Sequence, residues 1–310
     1  MFRYISSKFL YMLVSLLILI TATFFLMKAI PGNPFMSEKQ VPPQIRERLM
    51  EQYGLDKPVI VQYGQYLKNI AQGDFGISMK MQNKEVTGLI TDTFGASLKL
   101  GLVAIVVSVI VGVLLGLLAA LYHRRLIDNV AMVLAVLGIA VPSFVVASML
   151  QYVFAQKAGI FNVMGFNGPL DYVLPVAALA AQPIAFIARL TRSSMLEVLH
   201  ADYIKTARAK GLNWMTILFR HVVRNGILPV ITYVGPMTAN IITGSVVIEQ
   251  IFGIGGLGKV FVSSISNRDY TLIMGVTIFY GVILMLARFL TDIAYVFVDP
   301  RIKLTNRKEG

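Results

Sequence analysis

Few side chains in this sequence have the types and spacing that catalysis or metal binding requires. The chain has no cysteine, which excludes disulfides, thiolate metal sites and cysteine catalysis. Its three histidines, His123, His200 and His221, lie far apart and lack the H-x-x-x-H spacing of a zinc site. No serine, histidine and aspartate stand where a catalytic constellation could be organised. We therefore expect a chain that is not an enzyme and that holds no cofactor or metal itself.

Two other patterns have one chemical and one structural interpretation. The run Gly253–Gly258 matches G-x-G-x-x-G, but a nucleotide site needs a strand before it, and here a long apolar stretch precedes it. We interpret this run as a tight turn outside the membrane. Arg288 and Asp292 are four residues apart and therefore share a helix face near the inner end of the last apolar stretch. A charged pair in a membrane suggests function, but we favour a structural pair that fixes helix packing.

The composition places the chain in a lipid bilayer. Of its 310 residues, 56% are hydrophobic and only 14% are charged, and its mean hydropathy is +0.70. A bilayer core of about 30 Å requires a helix of roughly 20 apolar residues. Six stretches without acidic or basic residues meet this requirement: Phe9–Met27, Leu100–Leu121, Val130–Phe154, Tyr172–Ala188, Asn225–Ile248 and Thr271–Ala287. The sequence predicts an all-α polytopic membrane protein with six transmembrane helices.

The distribution of basic residues predicts the orientation. With the N-terminus inside, segments 1–8, 122–129, 189–224 and 299–310 face the cytosol and contain fifteen Lys and Arg residues, whereas the two short outer loops contain three. Cytoplasmic loops are enriched in Lys and Arg. We expect both termini in the cytoplasm. The net charge of +12 then reflects insertion into a membrane, and we expect no nucleic-acid partner.

Glycines and prolines in the apolar stretches predict close packing and bends. Gly112 and Gly116 form a G-x-x-x-G pair, which permits close helix approach either within the chain or with a partner subunit, and we favour the first. Proline removes a helical hydrogen bond. Kinks are therefore expected near five prolines: Pro142, Pro175, Pro183, Pro229 and Pro236.

Two connecting segments are too long to be simple links. Segment 30–95 should form a small, mainly helical external layer, with a helix start at Pro42-Pro43 and a helix over Val59–Ala71 that ends near Gly73. The inner segment 189–224 contains good helix formers from Asp202 up to a terminating glycine, Gly211, and an apolar stretch follows. Such a basic amphipathic helix could rest on lipid headgroups or dock into a groove of a soluble partner, and the residues leave both open.

The same residues resemble the membrane subunits of type I ABC importers, specifically the oligopeptide/dipeptide (and nickel) permease family. That family carries a run close to DY-x-x-TARAKGL…RH-x-x-RN-x-x-LP in its inner loop. The matching residues are Asp202-Tyr203, Thr206 to Leu212, Arg220-His221, Arg224-Asn225 and Leu228-Pro229. Further matches lie along most of the chain: Pro31–Pro34, Gly54–Pro58, Gly73–Ser78, Arg189–Ser194 and Asp299–Arg301.

The resemblance implies a type I importer permease with an N-terminal helix (1–29), an extracytoplasmic segment (30–95), a permease domain (94–299) and a cytoplasmic tail (300–310). It implies a second permease subunit, two cytosolic ATPases that bind ATP and Mg²⁺, and an extracytoplasmic peptide-binding protein. Asp202 to Met215 would form the helix that couples to the ATPases. The residues assigned to this role are Asp202, Tyr203, Thr206, Ala207, Arg208, Ala209, Lys210, Gly211 and Leu212.

The cargo implied by the resemblance is a dipeptide or an oligopeptide, with nickel or another small solute as the alternative within the family. An ion-coupled carrier is the rival from another class. The predicted spans contain few carboxylates, and this scarcity counts against ion coupling.

Overall fold

Most described residues are helical in the computed structural model, which describes residues 2–30, 47–48, 50–51, 53–165 and 168–298. Within these ranges the only extended pairing is an isolated bridge between Ile77 and Glu85. The predicted helix start at Pro42-Pro43, the motif Pro31–Pro34 and the tail from Asp299 lie outside the described residues.

Most successive helices are separated by only a few residues. In chain order they are α1 (Phe2–Ala29), α2 (Val59–Ala71), α3 (Val86–Leu121), α4 (Leu126–Ala140), α5 (Ser143–Leu150), α6 (Val173–His200), α7 (Asp202–Ala209), α8 (Trp214–Ile217), α9 (Arg224–Gly226), α10 (Leu228–Gly244), α11 (Val246–Phe252), α12 (Leu257–Ser266) and α13 (Tyr270–Val298). Two π-helical segments, Gln151–Lys157 and Leu218–Val223, continue α5 and α8, and a 3₁₀ turn over Pro169–Tyr172 precedes α6.

Among the described residues, four helices are long and apolar enough to cross a bilayer: α1, α3, α6 and α13. Two bent pairs, α4 with α5 and α10 with α11, raise the number to six if each pair is one span. The bend between α4 and α5 is 106° and falls at Val141-Pro142, where a proline was expected to break the helix.

Helices α3, α6 and α13 extend well beyond the predicted apolar stretches, and α13 continues past Ala287 to Val298. Helix α3 begins at Val86 rather than near Leu100, and α6 continues past Ala188 to His200. Hydropathy marks where lipid contact ends, whereas a helix continues as long as its backbone bonds and packing persist. The predicted inner segment therefore begins as part of α6 and not as a loop.

The described chain divides into two compact units. The first contains residues 97–254 and 287–298, and the second contains residues 2–96 and 255–286. The domain boundary predicted near residue 95 stays a prediction.

Helix α6 is the central element of the first unit, and small residues let its neighbours approach closely. Gly112 and Gly116 of α3 face it: an added Cβ on Gly116 would lie 2.5 Å from the carbonyl oxygen of Ala188 and from Cβ of Thr191. Gly138 of α4 similarly faces Ala185. The expected packing of the G-x-x-x-G pair within the chain is thus confirmed.

Replacing Gly116 with valine should therefore disrupt the contact between α3 and α6. The new side chain would meet backbone, which cannot rotate away, and we expect a loss of about 1–3 kcal/mol of stability. Thermal aggregation of the purified protein in detergent measures it. Gly88→Ala, in the same helix but with no atom within 4 Å of its added Cβ, is the matched control. Equal melting of both variants would contradict the close approach.

In the second unit, the described residues of segment 30–95 fold as the sequence predicted. Helix α2 spans Val59–Ala71, the predicted range, and Gly73 follows with φ of +77°. A turn then returns the chain to α3, with the N–H of Val86 donating to the carbonyl oxygen of Gly76 at 2.9 Å.

Candidate functional site

The inner segment between α6 and α10 carries the predicted coupling residues, and its first helix is α7. Asp202 in the first turn and Arg208 in the last complement the helix dipole. Ile204 and Ala207, three residues apart on one face, are 1% and 7% exposed. The other predicted coupling residues are exposed: Asp202, Tyr203, Thr206, Arg208, Ala209, Lys210, Gly211 and Leu212.

The buried face of α7 rests on a hydrophobic cluster of the first unit. The cluster joins the ends of α3 and α6 to α7, α8 and the π-helical segment; its members are Ala120, Met195, Ile204, Ala207, Ile217, Leu218 and Val222. The apolar side that could have contacted lipid or a partner is thus covered by the chain itself. What α7 presents outward is polar, basic and aromatic.

Helix α7 ends before the predicted coupling helix does. Gly211 has φ of +76°, and its N–H donates to the carbonyl oxygen of Arg208 at 2.9 Å. The side chain of Asn213 then accepts a hydrogen bond from the N–H of Met215 at 3.0 Å and caps α8. A single helix from Asp202 to Met215 was therefore wrong: a glycine in the left-handed region and a new N-cap divide it into two. The terminating role of Gly211 is confirmed.

The two short helices are joined across this break by a cation–π contact. The guanidinium of Arg208 lies 5.4 Å from the centre of the Trp214 ring. Both residues border a groove of about 420 Å³, which also includes Leu199, His200 and Lys205. The outward surface around α7 therefore combines fixed positive charge with an exposed aromatic ring.

An ion pair that the sequence did not predict joins the start of α4 to the second half of α6. Asp128, 2% exposed, accepts hydrogen bonds from Nε and Nη2 of Arg192 at 2.5 and 2.8 Å. The backbone N–H of Arg124 adds a third at 2.9 Å, and Nδ1 of His123 lies 3.2 Å away. Arg124 and Arg192 were predicted only as inside-facing charge or as part of a motif, and His123 only as an isolated histidine. The available signal was the acid Asp128 at the start of an apolar helix.

For the charged pair predicted on the last helix, the structure gives the positions and the exposure of the two side chains. Arg288 and Asp292 both lie on α13 within the first unit, four residues apart; Arg288 is exposed and Asp292 is half-buried. Their role, structural or functional, stays a prediction.

In the second unit, the motif Gly73–Ser78 meets Asp269, which lies far from it in sequence. Its carboxylate accepts hydrogen bonds from the hydroxyl of Ser78, from the N–H of Met79 at 3.1 Å and from the N–H of Leu272 at 3.2 Å. Asp269 is therefore the N-cap of α13 and also the anchor of the external turn. The hydroxyl of Tyr53 donates to the carbonyl oxygen of Ser78 at 2.9 Å. Burial and the nearby carboxylate of Asp269 raise the pKa of Tyr53 and keep this donor protonated.

The glycine-rich run after α11 is a turn. Gly253 has φ of +66° and caps α11, and α12 begins at Leu257. A helix precedes the run where a nucleotide site needs a strand, so the interpretation as a turn is confirmed.

Comparison with known families identifies this arrangement. Residues 112–304 match the binding-protein-dependent transport system inner membrane component, and residues 1–101 match the N-terminal model of such membrane components. The chain belongs to this family. With several apolar helices, it is a multi-pass membrane protein.

Relatives within the family match almost the whole chain. Identity is 49% with the dipeptide transport system permease protein of Bacillus subtilis, over 98% of this chain and 99% of the relative. It is 43% with the oligopeptide transport system permease protein of Haemophilus influenzae and 42% with that of Escherichia coli K12, each over 98% of this chain and all of the relative.

Solved structures share the fold of this inner membrane component at low sequence identity. A chain of an amino acid ABC transporter has a TM-score of 0.55 and 19% identity, covering 67% of this chain and 93% of that one. A chain of the MetNI methionine ABC transporter in an inward-facing conformation has a TM-score of 0.53 and 16% identity, covering 68% and 96%. The fold is therefore that of an ABC importer membrane subunit.

Proposed function

We propose that this chain is the permease subunit of an ATP-driven importer of dipeptides or oligopeptides. The observation that carries the proposal is its 49% identity, over nearly its whole length, with a dipeptide transport system permease. Peptide, rather than nickel, is the cargo because the relatives named above transport dipeptides or oligopeptides by name.

The proposal includes six membrane crossings with both termini in the cytoplasm. Each bent pair would be one span, which gives six together with the four long helices. The excess of Lys and Arg in the segments assigned to the inside supports this orientation. The chain would then form half of the translocation pathway, with a second permease subunit forming the other half.

The surface around α7 would be the contact for a cytosolic ATPase. Its outward residues are exposed, while Ile204 and Ala207 fix the helix to the ends of α3 and α6. Packed cores switch between discrete arrangements and do not deform continuously. Because Ile204 and Ala207 pack in one cluster with the ends of α3 and α6, a displacement of α7 would move these two helices with it. Coupling then requires that the ATPase states differ in affinity for the permease states.

The remaining partners follow from the same proposal. Two ATPase subunits would bind and hydrolyse ATP with Mg²⁺, and an extracytoplasmic binding protein would deliver peptide to the external segment. This chain would supply the pathway and the mechanical contact, without catalysis of its own.

Substitution of Gly211 tests the coupling role. Space around this glycine is open, with no atom within 4 Å of an added Cβ, but its φ of +76° strains other residues. Gly211→Val should strongly reduce peptide-stimulated ATPase activity of the assembled transporter, because the turn after α7 must change. Gly211→Asn is the matched control and should retain most activity, since asparagine tolerates this conformation.

Comparing Gly211→Val with Gly211→Asn separates the effect of the backbone conformation at this position from the effect of adding any side chain. Unchanged ATPase stimulation in Gly211→Val would contradict the assignment of α7 as the coupling contact. Uptake of labelled tri-alanine by cells that express the transporter, and its loss when the ATPase subunit is deleted, tests the peptide-import function itself.

A further inference from the structure

The second unit contains a cavity of about 690 Å³ on the external segment. Its walls come from the end of α1, from α2, from the turn between α2 and α3, and from the start of α13. All of its lining residues belong to this one unit. The volume lies in the range of about 300–1,000 Å³ typical of sites for small organic ligands.

Helix α2 turns a face of amide side chains toward this cavity. Gln62, Gln65 and Asn69 line it with Tyr66, at positions separated by three, four and seven residues, which share one side of a helix. Each side-chain amide carries donors and an acceptor. Gln62 already donates to the carbonyl oxygens of Lys57 and Leu55, at 2.7 and 3.3 Å, and Gln65 donates to Oδ1 of Asn69 at 2.8 Å. The remaining donors and acceptors of Gln65 and Asn69 can pair with a peptide backbone, whatever its side chains are.

The hydroxyl of Tyr66 gives a second indication of a ligand, independent of the amide side chains. It is buried and has no hydrogen-bond partner among the described residues, although the ring lines the cavity. Burial raises the pKa of this phenol, so it remains a neutral donor. Because buried polar groups are nearly always paired, a small rotation of Tyr66 toward the cavity would let a bound molecule supply the missing acceptor.

Charges of both signs border the same cavity. Lys28 donates a hydrogen bond to Oε1 of Gln62, and its ammonium lies 5.8 Å from the centre of the Phe24 ring. Asp74 accepts from the N–H of Gly76 at 2.7 Å, and Glu85 is exposed beside the turn. Lys57 also lines the cavity, so that two cations and two carboxylates border it and complement a ligand that carries both charges.

We propose that this cavity is a binding site for a short peptide with free termini, which the permease itself holds on its external side. Lys28 would receive the peptide carboxylate, Asp74 and Glu85 the terminal ammonium, and the amide face of α2 the backbone. The identity of the ligand as cargo rests on the proposed peptide-import function.

Calorimetric titration of the assembled transporter in nanodiscs, without its external binding protein, tests the site. Tri-alanine is the probe, with N-acetyl-tri-alanine and tri-alanine amide as blocked forms. Lys28→Met should weaken tri-alanine binding about tenfold, because a charge-assisted hydrogen bond is lost. Blocking the carboxylate as the amide should weaken binding to the unmodified transporter similarly, but should not weaken binding to Lys28→Met further.

Two more variants test whether the weaker binding of Lys28→Met arises from the cavity itself. Lys68→Met removes another lysine of the same segment that is not among the residues lining the cavity, and it should bind like the unmodified transporter. Tyr66→Phe deletes only the unpartnered hydroxyl and should weaken binding several-fold. Binding that is absent, or equal in Lys28→Met and Lys68→Met, would overturn the site.

The uptake assay distinguishes the two proposals. If labelled tri-alanine is imported but its binding does not respond to Lys28, the cavity proposal is wrong and the import function stands. If cells import no peptide, but tri-alanine binds with the predicted dependence on Lys28, the site stands and the import function is wrong.

Discussion

Replacing Asp128 with alanine is expected to lower the free energy of unfolding by about 3 kcal/mol, the lower end of the range for breaking a buried ion pair. Asp128 is 2% exposed, and the change removes the acceptor for Arg192 and for the N–H of Arg124. We expect the lower end of the range because the side chain of Arg192 is 24% exposed, so that water can hydrate its guanidinium once Asp128 is absent. The measurement is the midpoint of thermal or denaturant unfolding in detergent.

The exposed pair on α7 provides a matched control for this prediction. Asp202 and Lys205 also form an ion pair, at 2.8 Å, but their side chains are 94% and 73% exposed. Exposed pairs and charges at helix ends add little stability, so Asp202→Ala should lower the midpoint far less than Asp128→Ala. The double variant Asp128→Ala with Arg192→Leu should recover part of the loss, because no unpaired charge remains. Equal midpoints for Asp128→Ala and Asp202→Ala would show that the buried pair contributes nothing.

Replacing Asp269 with alanine should have a comparable effect on the second unit. The change removes the N-cap of α13, worth about 0.5–2 kcal/mol, and leaves buried donors unpaired, at about 1–3 kcal/mol. A total loss of about 3 kcal/mol is expected. Since the hydroxyl of Ser78 and the N–H of Met79 bind the same carboxylate, the external turn should also lose its anchor.

Limited trypsin digestion, followed by mass spectrometry, measures this second effect. Lys80 and Lys84 are exposed in the turn after Ser78, and cleavage there should accelerate in Asp269→Ala. Asp269→Asn keeps an oxygen acceptor of the right size for the cap and should show an intermediate rate. A cleavage rate unchanged in both variants would contradict the anchoring role.

The sequence predicted features that depend on local pattern. The bounds of α2, the termination at Gly211 and the break at Pro142 follow from periodicity and from the conformational preferences of glycine and proline, which neighbours in the chain determine. The continuation of α6 to His200 was missed because hydropathy, the signal used for that boundary, ends before the helix does.

The missed site residues share a different cause. Asp128 and Arg192 are 64 residues apart, and Ser78 and Asp269 are 191 apart. Each member has an ordinary local explanation, as an inside-facing charge or part of a motif, and only the tertiary structure makes it a partner. The covered face of α7 is similar, because an amphipathic pattern does not reveal whether lipid, another protein or the same chain lies against it.

The π-helical segment Leu218–Val223 has a consequence for insertions and deletions. A π-turn accommodates one residue more than an α-turn, so deleting a single residue there would convert it to ordinary helix. Each residue of an α-helix corresponds to a rotation of about 100°. Such a deletion would therefore leave the side chains of α10 facing their present neighbours, whereas a deletion within an ordinary α-helical turn would rotate the helix that follows by this angle. The π-helical segment is thus the place between α8 and α10 where the chain can lose one residue without turning α10.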